Sequence, residues 1–316
     1  MKRILVALGV LSLAGAAQAS ELKCQQVKLV VPYTAGGATD VAARLVAQQM
    51  EPLLKTSIII ETRTGATGNI GTAFVAQSPA DGCTLLVNGA VIATYPDSFK
   101  SLNYDPLKDL TAVGSIGVTP TVLVTNNMSI NNLDDLLAWA AKKEGGLNYG
   151  SAGYGLLHHL AVEEIAEQKK AKLNHVPYRG GGSATMDLAT GQLDFGSFAF
   201  GSVVSFVNDG KLKVISVLQS VPTTLYPKAQ PIAQQGFPKM NAGVHFLIFA
   251  PSKTPKAIVD QVSDALAKVV ADPALKSKFD AIGFDPIPMK SPESNKLVQQ
   301  TGDDWRGVIK RLNIQM

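Results

Sequence analysis

Residues 29–45, LVVPYTAGGATDVAARL, carry the pattern that decides the fold. An apolar strand ends at Val31, two adjacent glycines permit a tight turn, and apolar residues then recur at helical spacing. Thr39 or Asp40 is predicted to cap the first helical turn. Such a turn aims unpaired main-chain N–H groups, at the positive end of the helix dipole, above the end of the strand. The pattern therefore predicts an anion-binding turn that uses no charged side chain.

The first nineteen residues precede the fold. Lys2 and Arg3 form a basic start, residues 4–14 form an apolar run, and residues 17–19, AQA, form a cleavage site of small residues. This is the pattern of a secretory signal peptide, and its apolar run is too short to span a bilayer. We therefore expect the mature chain to be exported.

Length and charge narrow the class of protein. Removing Lys2 and Arg3 lowers the formal net charge from +4 to +2, because residues 1–19 contain no acidic residue. This balance, without a basic stripe, argues against nucleic acid as a partner. About 297 of the 316 residues remain after the leader. They exceed one ordinary domain core, so two lobes are expected.

The chain has two cysteines, Cys24 and Cys83, each just before a predicted strand. If these strands are neighbours in a parallel sheet, both cysteines lie at the same sheet edge and can form a disulfide. Otherwise they are two unrelated thiols. A catalytic thiol is disfavoured, because sites in open α/β sheets lie at the opposite, carboxyl ends of the strands.

Predicted strands and helices alternate from residue 27 to 123 and again from about 121, before an apolar strand at 246–250. This alternation predicts mostly parallel sheets flanked by helices. Four turns share glycines and small hydroxyl residues, follow a strand and open a helix. They are residues 33–40, 64–71, 151–155 and 179–183.

One such turn is an ordinary α/β connection, but four together favour convergence on one ligand. Backbone amides from several helix starts can hold a carboxylate without burying a counter-charge. The candidate ligand contacts within these turns include Thr34, Thr39, Thr67 and Gly181. Aromatic side chains near the strand ends are predicted to pack against the apolar body of the ligand. These are Tyr33, Tyr154, Tyr178, Phe198 and Phe200.

Three other chemistries have weaker support. No P-loop lysine follows a glycine turn, and His158 stands where the dinucleotide fingerprint needs its third Gly or Ala. Ser151 could pair with His159 in a hydrolase, but it does not lie in a G-x-S-x-G pattern and its acidic partner is undefined. The four histidines show no metal-ligand spacing. No cofactor or metal is therefore expected.

The chain resembles the Bug family, the extracytoplasmic substrate-binding proteins of tripartite tricarboxylate transporters. The matching segments follow the family order and cover essentially the whole mature chain. They are VPYTAGGATD at 31–40, ETRTGATGNIG at 61–71, PADG at 79–82, YGSAG at 149–153, VPYRG at 176–180, GQLD at 191–194 and FAP at 249–251.

The resemblance implies a two-lobed periplasmic-binding-protein fold of the second topological type, each lobe a mostly parallel sheet flanked by helices. It places lobe 1 at residues 20–121 plus 247–316 and lobe 2 at residues 122–246. It also implies a monomer in the periplasm, without enzymatic activity, that closes on a small organic carboxylate for inner-membrane transporter subunits. The ligand contacts carried over by position are Tyr33, Gly37, Asp40, Asn69, Ser151, Gly153, His159, Tyr178 and Asp194.

Asp40 and Asp194 are expected to fix turns more than to touch an anion, since a carboxylate would repel it. Tyr154 adds bulk to a turn that is usually made of small residues in the family. The identity of the ligand is therefore open, and dicarboxylates, tricarboxylates, amino acids and aromatic acids are all candidates. An exported hydrolase that uses Ser151 and a sensor subunit with a signalling partner are the alternative functions.

Overall fold

The computed structural model describes residues 21–316. The predicted signal peptide, residues 1–19, lies outside the described residues. The strands in the described part are β1 (Gln26–Val31), β2 (Ser57–Thr62), β3 (Thr84–Gly89), β4 (Leu110–Thr119), β5 (Thr121–Thr125), β6 (Leu147–Ser151), β7 (Leu173–Pro177), β8 (Phe195–Ala199), β9 (Lys213–Val217) and β10 (Val244–Pro251). They form two five-stranded sheets, one in each lobe.

The two sheets have the same architecture. The first has the strand order β2-β1-β3-β10-β4 and the second β7-β6-β8-β5-β9. In the first sheet β10 is antiparallel to both of its neighbours, and in the second sheet β5 is. The other pairs, β1 with β2 and β3, and β6 with β7 and β8, are parallel. Four of the five strands in each sheet therefore run in the same direction, which confirms the expectation of two lobes with mostly parallel sheets.

Helices cover the faces of both sheets. The α-helices in the described part are α1 (Ala38–Leu54), α2 (Asn69–Ala76), α3 (Tyr95–Ser98), α4 (Pro106–Asp109), α5 (Leu133–Lys142), α6 (Leu157–Lys169), α7 (Gly181–Ala189), α8 (Val204–Asn208), α9 (Lys256–Val270), α10 (Lys276–Ala281) and α11 (Ser291–Arg311). In α1 the buried residues Ala42, Val46 and Met50 recur every four positions, which gives the helix one apolar face for the first sheet.

The chain crosses between the lobes at Pro120, between β4 and β5, and again between β9 and β10. The observed strands shift the predicted boundaries slightly. Thr121, predicted in lobe 1, begins β5 of the second sheet, and residues 244–246, predicted in lobe 2, begin β10 of the first. Both shifts arise because strand pairing, which sets the boundary, continues through these residues.

Helix α11 packs on both lobes. It contacts β4 and the short 3₁₀ helix Ala90–Thr94 of the first lobe. Trp305 and Ile309 are buried among apolar side chains of the second lobe. Near its end, Arg311 forms ion pairs with Glu164 and Glu167 of α6, at 3.0 and 3.1 Å. Among residues 21–316, no helix has the length and apolar character that a membrane span needs.

Cys24 and Cys83 form a disulfide with a Cα–Cα separation of 5.6 Å. The sequence-based alternative of two separate thiols is wrong. The reason is the register of the parallel β1–β3 pair, which aligns Lys28 with Thr84 and so brings the residues before both strands together. The link closes a loop of 59 residues at the amino ends of the strands.

Replacing both cysteines by serine is expected to lower the free energy of unfolding by about 2–4 kcal/mol, because the unfolded chain gains the freedom of the opened loop. Urea denaturation followed by circular dichroism measures this. A reducing agent should destabilise the wild-type protein to the same extent and leave the double variant unchanged. Equal stability of the oxidised wild type and the variant would contradict the prediction.

Candidate functional site

A cavity lies between the lobes, at the carboxyl ends of β1, β3, β6 and β8. Its volume is about 30 Å³. Within residues 21–316, no charged side chain lines it. The lining residues are Tyr33, Gly37, Ala38, Thr39, Asn88, Gly89, Val91, Ala152, Leu156, Leu157, His158, Gly181, Ala199, Ser202, Val244 and Phe246. The lobes are thus closed around a narrow, largely apolar cavity.

The turn from β1 to α1 forms one wall. Gly37 is the N-cap of α1, and no side chain caps this end of the helix. Thr39 and Asp40 lie inside the first turn, so the prediction that one of them is the cap is wrong. Asp40 accepts a hydrogen bond from the main-chain N–H of Gly36 at 3.0 Å, and Arg44 pairs with it at 2.9 Å. Asp40 therefore fixes the turn, as expected from the sequence.

The turn from β7 to α7 faces this wall from the second lobe. The main-chain N–H of Thr34 donates to the carbonyl of Arg179 across the cleft at 3.1 Å. A Cβ atom added to Gly182 would lie 2.4 Å from the carbonyl oxygen of Ala35. Helix α7 begins at Gly181, inside the predicted turn at residues 179–183. Because these positions are glycines, the main chains of the two lobes can touch.

Ser202, which was missed by the sequence reasoning, joins the first turn of α1 to the second lobe. Its hydroxyl oxygen accepts a hydrogen bond from the main-chain N–H of Ala38 at 3.0 Å, and the residue is buried. It lies in a 3₁₀ turn, Phe200–Ser202, directly after β8. Its position beyond the carboxyl end of a strand is the signal that could have identified it.

Helix α7, like α1, begins without a side-chain cap. A third uncapped helix start comes from the β6–α6 turn. Helix α6 begins after Leu156 with no side-chain cap. Gly153 has φ +155°, and a Cβ atom there would lie 2.9 Å from the Cγ2 atom of Thr67 in the first lobe. The hydroxyl of Ser151 contacts the main chain of Gly153 within this turn. The turns that contain Thr67 and Gly153 therefore meet at a second contact between the lobes.

Tyr33 and its hydrogen-bond partners form the side of the cavity that belongs to the first lobe. The Tyr33 hydroxyl donates to Asn88 at 3.0 Å, and Asn88 donates to Thr72 at 3.0 Å. Burial raises the pKa of Tyr33 well above its ordinary value, so this hydroxyl stays protonated. Asn69, a predicted ligand contact, instead accepts a hydrogen bond from Tyr104 at 2.6 Å. We infer that Asn69 supports the wall of the site.

Three histidines lie behind the β6–α6 turn. The His159 and His175 rings are 4.1 Å apart, and Tyr154 packs on His159 at 4.4 Å. The Nδ1 atom of His159 accepts the N–H of Gly155 at 3.0 Å, which fixes the turn. Burial lowers the pKa of His158 and His175 to about 4 and that of His159 to about 2. All three imidazoles are therefore neutral near pH 7.

The Ser151–His159 pair that a hydrolase would use does not form. Ser151 instead contacts the Nε2 atom of His175 at 2.7 Å. Among the described residues, the Nδ1 atom of His175 has no hydrogen-bond partner, so no carboxylate orients this imidazole as a catalytic triad requires. Glu163, on the same helix as His159, accepts a hydrogen bond from Tyr149 at 2.7 Å.

Several predicted contacts lie away from the cavity. Asp194 is at the amino end of β8, where it pairs with Lys143 at 2.6 Å and accepts the N–H of Asn148 at 2.7 Å. Its placement as a ligand contact is corrected, because ligands of such sheets bind at the opposite edge. The Tyr178 hydroxyl is held by Asp187 at 2.6 Å, and the Phe200 ring packs on Tyr226 at 5.7 Å.

The remaining predicted residues divide between cavity and support. Tyr33, Gly37, Thr39 and Gly181, predicted as ligand contacts, line the cavity. The turns around it contain Thr34, Thr67, Gly153 and Tyr154. Ser151 is the last residue of β6, and His159 lies in the first turn of α6. The structure adds Asn88, Ser202 and His158, together with an apolar wall. Residues 21–316 contain no group of three His, Cys, Asp or Glu side chains suited to a metal ion.

Known proteins are similar to this chain along most of its length. The sequence model described as "Tripartite tricarboxylate transporter family receptor" matches residues 42–314. Protein BugT of Bordetella pertussis (strain Tohama I) is 28% identical over 323 residues, which cover 100% of this chain and 99% of BugT. A structure of an R. palustris protein with adipate has a TM-score of 0.87 and 28% identity, and covers 92% of this chain and 98% of the other. MatC from Rhodopseudomonas palustris with bound malate has a TM-score of 0.81 and 26% identity, and covers 90% and 98%.

Acid is expected to destabilise the protein through the three buried histidines. Their folded-state pKa values lie below the unfolded value near 6.5. Above pH 6.5 the histidines are neutral in both states, so the free energy of unfolding is highest there. As the pH falls toward 4, the unfolded chain binds protons that the folded chain does not, and the free energy of unfolding decreases. Each proton that only the unfolded chain binds removes about 1.4 kcal/mol per pH unit.

Urea denaturation between pH 7.5 and 4.5 measures this loss. His158→Gln should make the pH dependence shallower by nearly one proton, while the titration of carboxylates affects both proteins alike. Parallel curves for the wild type and the variant would contradict the assignment.

Proposed function

The chain belongs to the tripartite tricarboxylate transporter receptor family, whose members are solute-binding proteins, and on this premise we propose what it binds and how. It captures a small organic carboxylate between its two lobes in the periplasm and delivers it to inner-membrane transporter subunits. It acts as a monomer, with binding and closure of the lobes as its only reaction. The resemblance to the Bug family that the sequence indicates is confirmed by the family match.

The observation that carries this proposal is the convergence of three uncapped helix starts on one cavity. Helix α1 comes from the first lobe, and α6 and α7 come from the second. Each presents N–H groups that have no acceptor within their own helix, at the positive end of its dipole. With no charged side chain on the lining, these main-chain groups are the natural partners of an anion.

The contact between Ser202 and Ala38 supports the same interpretation. In the closed molecule, the Ser202 hydroxyl oxygen accepts the N–H at the start of α1. A carboxylate oxygen is a stronger acceptor for such a group than a hydroxyl. We infer that the ligand carboxylate lies beside Ser202 and shares the first turns of α1 and α7.

The ligands of the relatives suggest the size of the solute. Adipate is present in one similar structure and malate in another, and both are small dicarboxylates. A molecule of this size fits a cavity that opens by a modest separation of the lobes. Closure around it would join main-chain donors of both lobes to one ligand, which favours the closed form.

A thermal-shift screen of the mature protein against small carboxylic acids tests the proposal. A bound acid at 100 times its dissociation constant should stabilise the protein by about 2.7 kcal/mol. The matching primary amides, which keep the shape but lose the charge, should have no effect. Stabilisation by amides as well as acids, or by no acid at all, would overturn the proposed carboxylate receptor.

Gly182→Ala is expected to weaken binding at least tenfold. The new Cβ atom would lie 2.4 Å from the carbonyl oxygen of Ala35, which only separation of the lobes can relieve. The exposed Gly307 of α11 has no atom within 4 Å of its Cβ position, so Gly307→Ala is the matched control. Calorimetry measures affinity, and small-angle scattering measures the contraction on ligand binding. Full contraction and unchanged affinity in Gly182→Ala would contradict the closed site.

A further inference from the structure

His158 lines the cavity and has a ring nitrogen without a partner among the described residues. The residue lies in the first turn of α6, is only 6% exposed and lines the cavity. Its Nδ1 atom has no hydrogen-bond partner among the described residues. His159 and His175 differ, since one ring nitrogen of each contacts Gly155 or Ser151. A buried polar atom without a partner is unfavourable, so at a cavity wall it points to a group supplied by a ligand.

The start of α6 adds to this signal. The helix has no side-chain cap, and its N-cap Leu156 and first residues Leu157 and His158 line the cavity. The neutral imidazole supplies one further N–H donor beside the N–H groups of this helix start. A hydrogen-bond acceptor with negative charge matches this set of donors best.

The starts of α1 and α7 and the start of α6 take part in different contacts between the lobes. Beside α1 and α7, Gly37 meets Gly181 and Gly182 across the cleft. Beside α6, Gly153 meets Thr67 of the first lobe. Two different pairs of turns therefore bring the lobes together, and each pair includes an uncapped helix start.

The cavity lining includes a group of apolar side chains, the apolar wall. It is formed by side chains of both lobes and contains no charged group. Its residues are Val91, Leu156, Leu157, Val244 and Phe246. Methylene groups can be buried against this wall favourably, whereas hydroxyl groups there would lose their hydrogen bonds to water.

We propose that His158 determines specificity by donating a hydrogen bond to the far carboxylate of a dicarboxylate with an unsubstituted methylene spacer. The near carboxylate lies at α1 and α7, and the spacer packs on the apolar wall. This inference rests on the proposed function, since it assigns the second end of the same site.

Calorimetry with two matched ligand series tests the inference. The dicarboxylates from succinate to pimelate are compared with the monocarboxylates of equal chain length, butanoate to heptanoate. The wild type should bind the best dicarboxylate at least tenfold more tightly than its matched monocarboxylate. A wild type that binds both series equally would overturn the role of His158 and leave the carboxylate receptor intact.

Two substitutions locate the preference at His158. His158→Leu should lower the affinity for the best dicarboxylate about 10- to 100-fold and change that for the matched monocarboxylate less than threefold. His158→Gln, which keeps an N–H donor, should retain most of the preference. An equal loss for both ligands in His158→Leu would indicate a purely structural role and overturn the inference. Absence of binding by every acid to the wild type would overturn the proposed function and this inference together.

Discussion

The closed molecule depends on direct contact between the main chains of its two lobes. Thr34 and Arg179 are joined by a hydrogen bond across the cleft, and Gly37 lies against Gly181 and Gly182. A side chain at Gly182 would lie 2.4 Å from the carbonyl oxygen of Ala35 and hold the lobes apart, so this glycine sets how closely the helix starts can approach one another. An anion between them meets dipoles from both lobes with little intervening water, where electrostatic interactions are strongest. Recognition and closure are thus two results of one steric constraint.

The fold could be predicted largely from local sequence patterns. Apolar runs such as Ser57–Thr62 and Thr121–Thr125 form strands, and the glycine turns lie where the strands end. The disulfide followed from the same pattern once β1 and β3 were neighbours. These features depend on short-range periodicity and on the few allowed α/β connections, both of which a single sequence displays.

The details of the site depend on packing between lobes, which local patterns do not encode. Ser202 matters because lobe closure brings it to Ala38, which is 164 positions away in sequence. Asp194 belongs to a family motif, yet it lies at the amino end of β8, where it orders the start of the strand. In the sequence, His158 is a departure from the dinucleotide fingerprint, and only the structure shows that it lines the cavity. Turn residues were therefore predictable, whereas the role of each side chain was not.

Helix α11 limits how the cleft can open. Its early turns lie on the first lobe, while Trp305, Ile309 and the Arg311 ion pairs attach its later turns to the second. Relative displacement of the lobes is smallest beside an element that is packed on both of them. Any widening of the cleft is then greatest on the side away from α11.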